Sequence, residues 1–238
     1  MTAHSDDTLS VYLVDDHPVI RNAIRDKIES LIDMEVCGET AASEEALRDI
    51  EELRPAVTVV DISLEDGHGL DLIKNLGARF PDVQSVVFSM YDEKVYAERA
   101  LRAGASGYLM KNAPTDDLVE AIRCAHDGGV YLSKTMTARV LGKVRNQGSN
   151  SPSFPIDDLT DREMSVFQML GQGYSIEEIQ ERLSLARKTI ETYRRRAKEK
   201  LGFDTVAELL QYAVQWTYGQ SDDPEEGETP GPKVPARQ

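Results

Sequence analysis

The chain predicts an α/β doubly wound five-stranded parallel sheet, followed by an all-α four-helix unit containing a helix-turn-helix. Three observations predict it. Short β-branched runs alternate with helical patterns five times between residues 9 and 128. A polar stretch rich in Asn, Ser, Gly and Pro then interrupts the pattern. After it every periodic segment is helical, and each opens on a capping residue or a tight turn. The expected organisation is a sheet domain over 9–128, a linker with a short helix over 129–157, a helix-turn-helix domain over 158–218 and a disordered acidic, Pro-rich tail over 219–238.

The elements follow in order. Val11-Tyr12-Leu13-Val14 is a first strand ending in Asp15-Asp16, and Pro18 suits the first turn of a helix running to about Leu31. Met34 to Glu39 is a second strand, and Ser43 is the expected cap of the next helix. Ala56 to Ser63 is a third, almost wholly apolar strand of the kind a sheet buries on both faces, and it carries Asp61 at its end. A loop with Gly67 and Gly69 leads to a helix over Gly69 to Arg79. Ser85 to Ser89, a helix from Asp92 to Ala103, Gly107 to Lys111 and a helix from Thr115 to Asp127 complete the alternation. Thr135 to Val144 reads as one more short helix before the polar tether.

Composition narrows the function classes. No apolar run approaches the roughly 20 residues that span a bilayer, and Met1 to Ser10 has neither a basic nor an apolar leader segment, so no membrane partner is expected. Two distant cysteines, Cys37 and Cys124, suit a reducing cytoplasm. The formal charge of −15 is unevenly spread. Residues 1–141 carry 14 basic and 26 acidic side chains, whereas 159–218 carry nine of each. Within the latter, 187–200 holds seven Lys/Arg against Glu191 and Glu199, and local charge decides whether a polyanion can dock.

A lone aspartate at a strand end is most simply a helix cap. Here the other strand ends change its meaning: Asp15-Asp16 after the first, Ser89 after the fourth and Lys111 after the fifth. Doubly wound sheets gather such ends along one edge. Three crowded carboxylates repel unless a cation joins them, and oxygen ligands suit a hard ion such as Mg²⁺ with a phosphoryl group. One carboxylate is then free to act as a nucleophile on phosphorus, with the Ser89 hydroxyl and Lys111 ammonium placed for the incoming oxygens.

Asp15-Asp16-His17-Pro18, Asp61, Ser89 and Gly107-Tyr108-Leu109-Met110-Lys111 resemble the receiver domain of two-component response regulators. The resemblance implies that Asp61 accepts a phosphoryl group from a sensor histidine kinase. It implies Mg²⁺ held by Asp16, Asp15, Asp61 and the backbone carbonyl of Ser63. It also implies that Ser89 and Lys111 engage the phosphoryl group and that Tyr108 is an aromatic switch, although a half-buried strand aromatic is an equal reading of Tyr108. His17 and His68 read as loop residues, since the family's phosphoryl-donating histidine belongs to the kinase. Glu65-Asp66 stands where the family often has Pro or Gly, which is expected to add negative charge beside the pocket.

In the second unit Thr160 with Glu163 is a capping box, Gly171 and Gly173 are expected to end the first helix, and Ser175 caps the second. Ser184-Leu185-Ala186 turns into a third helix from about Arg187 to Leu201, with Ile190, Tyr193, Ala197 and Leu201 on one face. In the fourth, Val206, Leu209, Leu210, Ala213 and Val214 are expected inward. The basic third helix is of a width that enters the major groove, against the simpler reading of a solvated charged face. Leu159-Thr160-x-Arg162-Glu163, Gly173-Tyr174-Ser175, Lys188-Thr189-Ile190-Glu191-Thr192-Tyr193 and Lys200-Leu201-Gly202 resemble the LuxR-type helix-turn-helix. With the receiver, this is the pattern of NarL/FixJ-class response regulators. The resemblance implies a dimer on double-stranded DNA, contacted by Arg187, Lys188, Thr189, Glu191, Thr192, Arg194, Arg195 and Lys198. Two departures stand out: Ala186 replaces a usual capping Ser, and Glu177-Glu178 puts acid near the expected phosphates.

The expected function is a phosphorylation-switched transcription regulator, not an enzyme. A true aspartyl phosphohydrolase needs a second acid two residues after the nucleophile, where Ser63 stands. A phosphorylation-gated protein-interaction module with weak or no DNA binding is the other reading, kept open by Ala186 and the Glu177-Glu178 pair.

Overall fold

The computed structural model describes residues 8–145 and 155–219; the expected tail and most of the polar tether lie outside them. The chain divides into two compact units, one ending at Asn150 and the other beginning at Ser151. No helix among the described residues is long and apolar enough to cross a membrane.

The first unit is a five-stranded sheet with all neighbours parallel, in the order β2-β1-β3-β4-β5. The strands are β1 (Leu9–Val14), β2 (Met34–Thr40), β3 (Val57–Val60), β4 (Gln84–Ser89) and β5 (Gly107–Met110). The helices between and after them are α1 (Pro18–Glu29), α2 (Ser43–Leu53), α3 (Gly69–Arg79), α4 (Glu93–Ala103) and α5 (Thr115–His126). Alternation along each strand divides the core. Val11, Leu13, Val57, Val59, Val86, Phe88 and Leu109 cluster with Ile24 and Ile28 of α1 and Leu118 and Ile122 of α5. Their neighbours Tyr12, Val14, Val60, Val87 and Tyr108 are equally buried on the opposite face, as are Ile50 of α2, Ile73 of α3 and Tyr96 of α4. The strand order reverses between β1 and β3, so the loops after these two strands part to opposite sides and leave a crevice. Asp15, Asp16 and Asp61 stand at that crevice.

Residues just after α5 belong to this unit. Tyr131 bridges Gly107 in parallel: its N–H donates to the Ser106 carbonyl (2.9 Å) and its carbonyl accepts from Tyr108 N–H (3.0 Å), adding one residue to the β5 edge. Ser133 then accepts from the Met136 amide (3.1 Å), starting α6 (Lys134–Arg145). α6 lies against α4. Met136 is fully buried, the Ser133 hydroxyl donates to Glu93 Oε1 (2.8 Å), and Arg139 Nε stands 3.8 Å from Glu98 Oε1.

The second unit begins with a 3-10 turn (Pro155–Asp158) and contains α7 (Asp161–Gly171), α8 (Ile176–Leu183), α9 (Arg187–Lys200) and α10 (Val206–Gly219). Capping boxes start α7 at Thr160/Glu163 and α8 at Ser175/Glu178. Leu159, Met164, Phe167, Ile179, Leu183, Ile190, Ala197, Leu201, Leu209 and Ala213 form the core, and the Phe167 ring lies 5.9 Å from that of Tyr212 and 5.8 Å from that of Trp216. Gly171 and Gly173 close α7 as expected, with Gly173 in the left-handed conformation (φ +88°) just past the Gln172 cap. Gly171 is the helix's last residue, where α10 comes so close that a Cβ would stand 2.5 Å from the Ala213 carbonyl oxygen. Val206 and Val214, expected inward, are 36% and 41% exposed. The buried stripe of α10 is Leu209, Tyr212 and Ala213, at i, i+3, i+4, and Val206 and Val214 lie on its flank.

Candidate functional site

At the crevice the Lys111 ammonium lies among carboxylates. Lys111 Nζ stands 2.6 Å from Asp15 Oδ2 and 2.7 Å from Asp61 Oδ2. The other Asp61 oxygen accepts from the Ser89 hydroxyl and from the Ile62 amide, each at 2.6 Å. Asp16 pairs with His17 Nδ1, and the His17 amide donates to Asp15 Oδ1 (2.8 Å). Four of the strand-end residues thus converge on Asp61, as their positions predict. Burial raises the carboxyls of Asp61 and Asp16 above the usual range; Lys111 works against this at Asp61 and His17 at Asp16.

Ligand atoms of Asp15, Asp16, His17 and Asp61 lie within 4.8 Å of one another. With Lys111 counted, three carboxylates leave two negative charges to be neutralised, and oxygen donors dominate the set. That chemistry fits a hard divalent cation. His17, read from sequence as a loop residue, is therefore part of the cluster's geometry.

The loop after Asp61 is tied down at several points. Ser63 bridges His68, whose Nδ1 accepts from the Leu70 amide (3.4 Å) at the start of α3. Gly69 packs so tightly that a Cβ would overlap the Asp61 carbonyl oxygen and stand 2.8 Å from its carbon. Asp66 has a structural partner outside the pocket. Its two carboxylate oxygens accept from the amides of Ser43 (2.6 Å) and Glu44 (3.0 Å), capping α2 from across the loop. Burial opposes this, but the two amides prevail and hold the Asp66 carboxyl below the usual aspartate range. Ser43, the expected cap, is instead the first residue of the helix, after Ala42. No local pattern signals Asp66, which reaches back over twenty residues of chain.

Tyr108 is 1% exposed, fully inside rather than half-buried, and its hydroxyl donates to the Tyr91 carbonyl (2.7 Å) in the loop before α4. The aromatic side chain thereby links β5 to the segment that follows Ser89.

In the second unit α9 exposes Arg187, Lys188, Arg195 and Arg196, while Thr189, Glu191, Thr192, Arg194 and Lys198 are half-buried. Ala186 offers no side-chain cap to this helix. Several of the basic groups are already engaged. Arg187 pairs with Glu177 and Glu191, Arg195 with Glu199 (2.8 Å), and Lys198 Nζ donates to the Asp204 carbonyl (2.9 Å). Lys200 ties α9 to α7 through the buried Glu163 (2.7 Å) and the Asp158 carbonyl (3.0 Å). The side chains of Lys188, Arg194 and Arg196 make no ion pair with a described residue.

Comparison with known proteins agrees with both units. Residues 11–123 match the family model of the response regulator receiver domain, and residues 157–213 match that of the bacterial regulatory proteins of the luxR family. The oxygen regulatory protein NreC of Staphylococcus carnosus is 31% identical over 211 residues, covering 87% of this chain and 97% of that protein. NreC of Staphylococcus epidermidis is 30% identical over 212 residues, with the same coverage of 87% and 97%. Among solved structures, RcsB from Salmonella enterica serovar Typhimurium, bound to the promoter P1flhDC with the phosphomimetic BeF3-, is 25% identical with a TM-score of 0.58, covering 87% of this chain and 99% of that one. A LuxR-family two-component response regulator from Aurantimonas sp. SI85-9A1 is 29% identical with a TM-score of 0.54, covering 58% of this chain and 99% of that one.

Proposed function

The chain belongs to the NarL/FixJ class of two-component response regulators, DNA-binding transcription regulators that join a receiver to a LuxR-type helix-turn-helix, and we propose that phosphorylation of Asp61 by a sensor histidine kinase switches it. The observation that carries this reading is the Asp61 carboxylate held between Ser89 and Lys111, with Asp15 and Asp16 beside it.

In the transfer an Asp61 oxygen forms the new bond to phosphorus, and the bond from phosphorus to the donor imidazole nitrogen breaks. Lys111 offsets the charge that builds on the phosphoryl oxygens, and the Ser89 hydroxyl donates to one of them. Asp15, Asp16, Asp61 and the Ser63 carbonyl would hold Mg²⁺, which neutralises phosphoryl charge when bound. Moving the Ser89 hydroxyl and Lys111 from the carboxylate to the phosphoryl group draws on β4 and β5. Tyr108 and its bond to the Tyr91 carbonyl carry that change to α4 and hence to α6. The second unit then binds DNA as a two-fold dimer on paired half-sites. Arg187, Lys188, Thr189, Glu191, Thr192, Arg194, Arg195 and Lys198 supply the contacts. RcsB seated on promoter DNA, among the similar structures, supports this output. The compartment this implies is the cytoplasm.

The test has two readouts on the full chain. Incubation with a small acyl-phosphate donor and Mg²⁺ should add one phosphoryl group to the wild type and none to Asp61→Asn, read by intact mass. Capture of source-genome fragments should then favour the phosphorylated wild type over Asp61→Asn. Equal capture by both would remove the gating role of Asp61. The engagement of Arg187 by two carboxylates favours one other reading, a gated protein-interaction module, for which no fragment would be retained even at low salt.

A further inference from the structure

The turn between α8 and α9 brings together three side chains from two helices. Arg187, the first residue of α9, donates from Nη1 to Glu177 Oε1 of α8 at 2.6 Å and from Nε to Glu191 Oε1 at 3.1 Å. The side chains are 44% to 63% exposed. Such exposed pairs contribute little to folding stability. What they settle is where the guanidinium points and what charge surrounds it.

A guanidinium has five N–H donors. The two carboxylates take one on Nε and one on Nη1, so one on Nη1 and both on Nη2 stay available. One Nη1 hydrogen and the whole Nη2 group are thus left for a base, and an arginine donating from two nitrogens reads the O6 and N7 acceptors of guanine in the major groove. Holding a flexible side chain in that geometry before DNA arrives lowers the ordering cost of the contact.

The same carboxylates work against indiscriminate binding. Glu177 and Glu191 stand at Arg187 and between them match the charges of Arg187 and Lys188, leaving the leading end of α9 with no net positive charge. Arg194 and Arg196, which make no ion pair with a described residue, lie about two turns further along. Sequence-independent affinity grows with the number of phosphates neutralised, so acid at the leading end subtracts from it.

We propose that Glu177 is a positioning residue for base recognition: it aims Arg187 at a guanine and weakens binding to sites that lack one. The proposal rests on the DNA-binding reading given above and adds to it a specificity device on the supporting helix. A matched guanine accepts both free prongs. At any other base they go unanswered, and the carboxylates still face the DNA.

The experiment uses the phosphorylated full chain as wild type, Glu177→Ala, Glu177→Gln and Arg187→Ala. Each is put through selection from a random double-stranded library, and its affinity for the selected site and for random DNA is measured at one stated salt concentration. Arg187→Ala should lose one G·C pair from the selected site and lower the specific-to-random ratio by roughly tenfold to a hundredfold. Glu177→Ala should blur the same pair, lowering the ratio by about three- to tenfold while binding random DNA more tightly. Glu177→Gln, which keeps an acceptor oxygen without the charge, should recover part of the guanine preference and keep the tighter random binding. A wild-type site and ratio in Glu177→Ala would overturn the proposal, as would an unchanged site in Arg187→Ala. If the wild type itself selects no site, the DNA-binding reading fails first and takes the proposal with it, an outcome distinct from the other two.

Discussion

Replacing Lys111 by Met removes the ammonium that separates two buried carboxylates while keeping most of the side-chain volume. The Nζ stands 2.6 Å from Asp15 and 2.7 Å from Asp61, and the three side chains are 2–5% exposed. Removing one partner from a buried ion pair costs about 3–5 kcal/mol, and a volume-conserving apolar stem adds little to that. Proton uptake recovers part of the loss, because burial already raises the Asp61 carboxyl and loss of Lys111 raises it further. A net cost of about 2–4 kcal/mol is expected at neutral pH. The sign with pH follows from a folded-state value above the unfolded one. The folded state keeps its proton longer, so the variant's stability is highest below about pH 4, the ordinary aspartate range, and falls as pH rises through the folded value. A divalent cation reverses much of the cost at neutral pH. Ligand at a hundred times its Kd adds about 2.7 kcal/mol to any site, and the variant, with one less competing cation, should gain more than the wild type. The assay is urea unfolding of the full chain, with and without MgCl2. Trp216, the sole tryptophan, lies in α10, so its fluorescence follows the second unit. The transition seen by far-UV circular dichroism but not by Trp216 is that of the sheet unit. A cost under about 1 kcal/mol in metal-free buffer, or equal Mg²⁺ responses in the two proteins, would refute the claim that Lys111 offsets these carboxylates.

Three further outcomes are expected. Gly69→Ala drives a methyl group into the Asp61 carbonyl, so the sheet unit should lose about 3 kcal/mol or more and accept no phosphoryl group, while the Trp216 transition stays in place. Ala186→Ser supplies the side-chain oxygen that the first turn of α9 lacks; a gain of about 1 kcal/mol should raise the Trp216 melting temperature by roughly 4–8 °C, and an unmoved transition would count against the capping account. Burial works to raise the Glu163 carboxyl, yet Lys200 and the Thr160 amide hold it below the usual glutamate range. Its contribution is therefore present above about pH 4.3 and lost as pH falls through the lower folded value. Glu163→Gln should cost about 1–2 kcal/mol at neutral pH and flatten the acid-side decline of the second unit.

The proposed phosphoryl-acceptor site was legible because its groups stand at strand ends, and strand ends are marked by where an apolar run stops. Asp15, Asp61, Ser89 and Lys111 each follow such a run, and one sheet edge collects them. The caps at Thr160 and Ser175 were legible because both partners lie within one helical turn. Contacts that reach between elements were not. Asp66 caps α2 across the β3–α3 loop, and Glu177 meets Arg187 across a turn, so neither has a local spacing to betray it. Tyr131 extends the β5 edge with a single bridge, too short for any periodicity. For α10 the composition suggested a broad apolar face, but the tight approach at Gly171 makes the buried stripe narrow.

The docking of α6 bears on how this molecule can be cut and rejoined. A chimera spliced directly after α5 would strip the strand edge that Tyr131 covers and uncap the surface on which Met136 rests. The transplantable module therefore extends through Arg145, and a foreign output head grafted there would inherit the contacts with α4 along with the proposed switch.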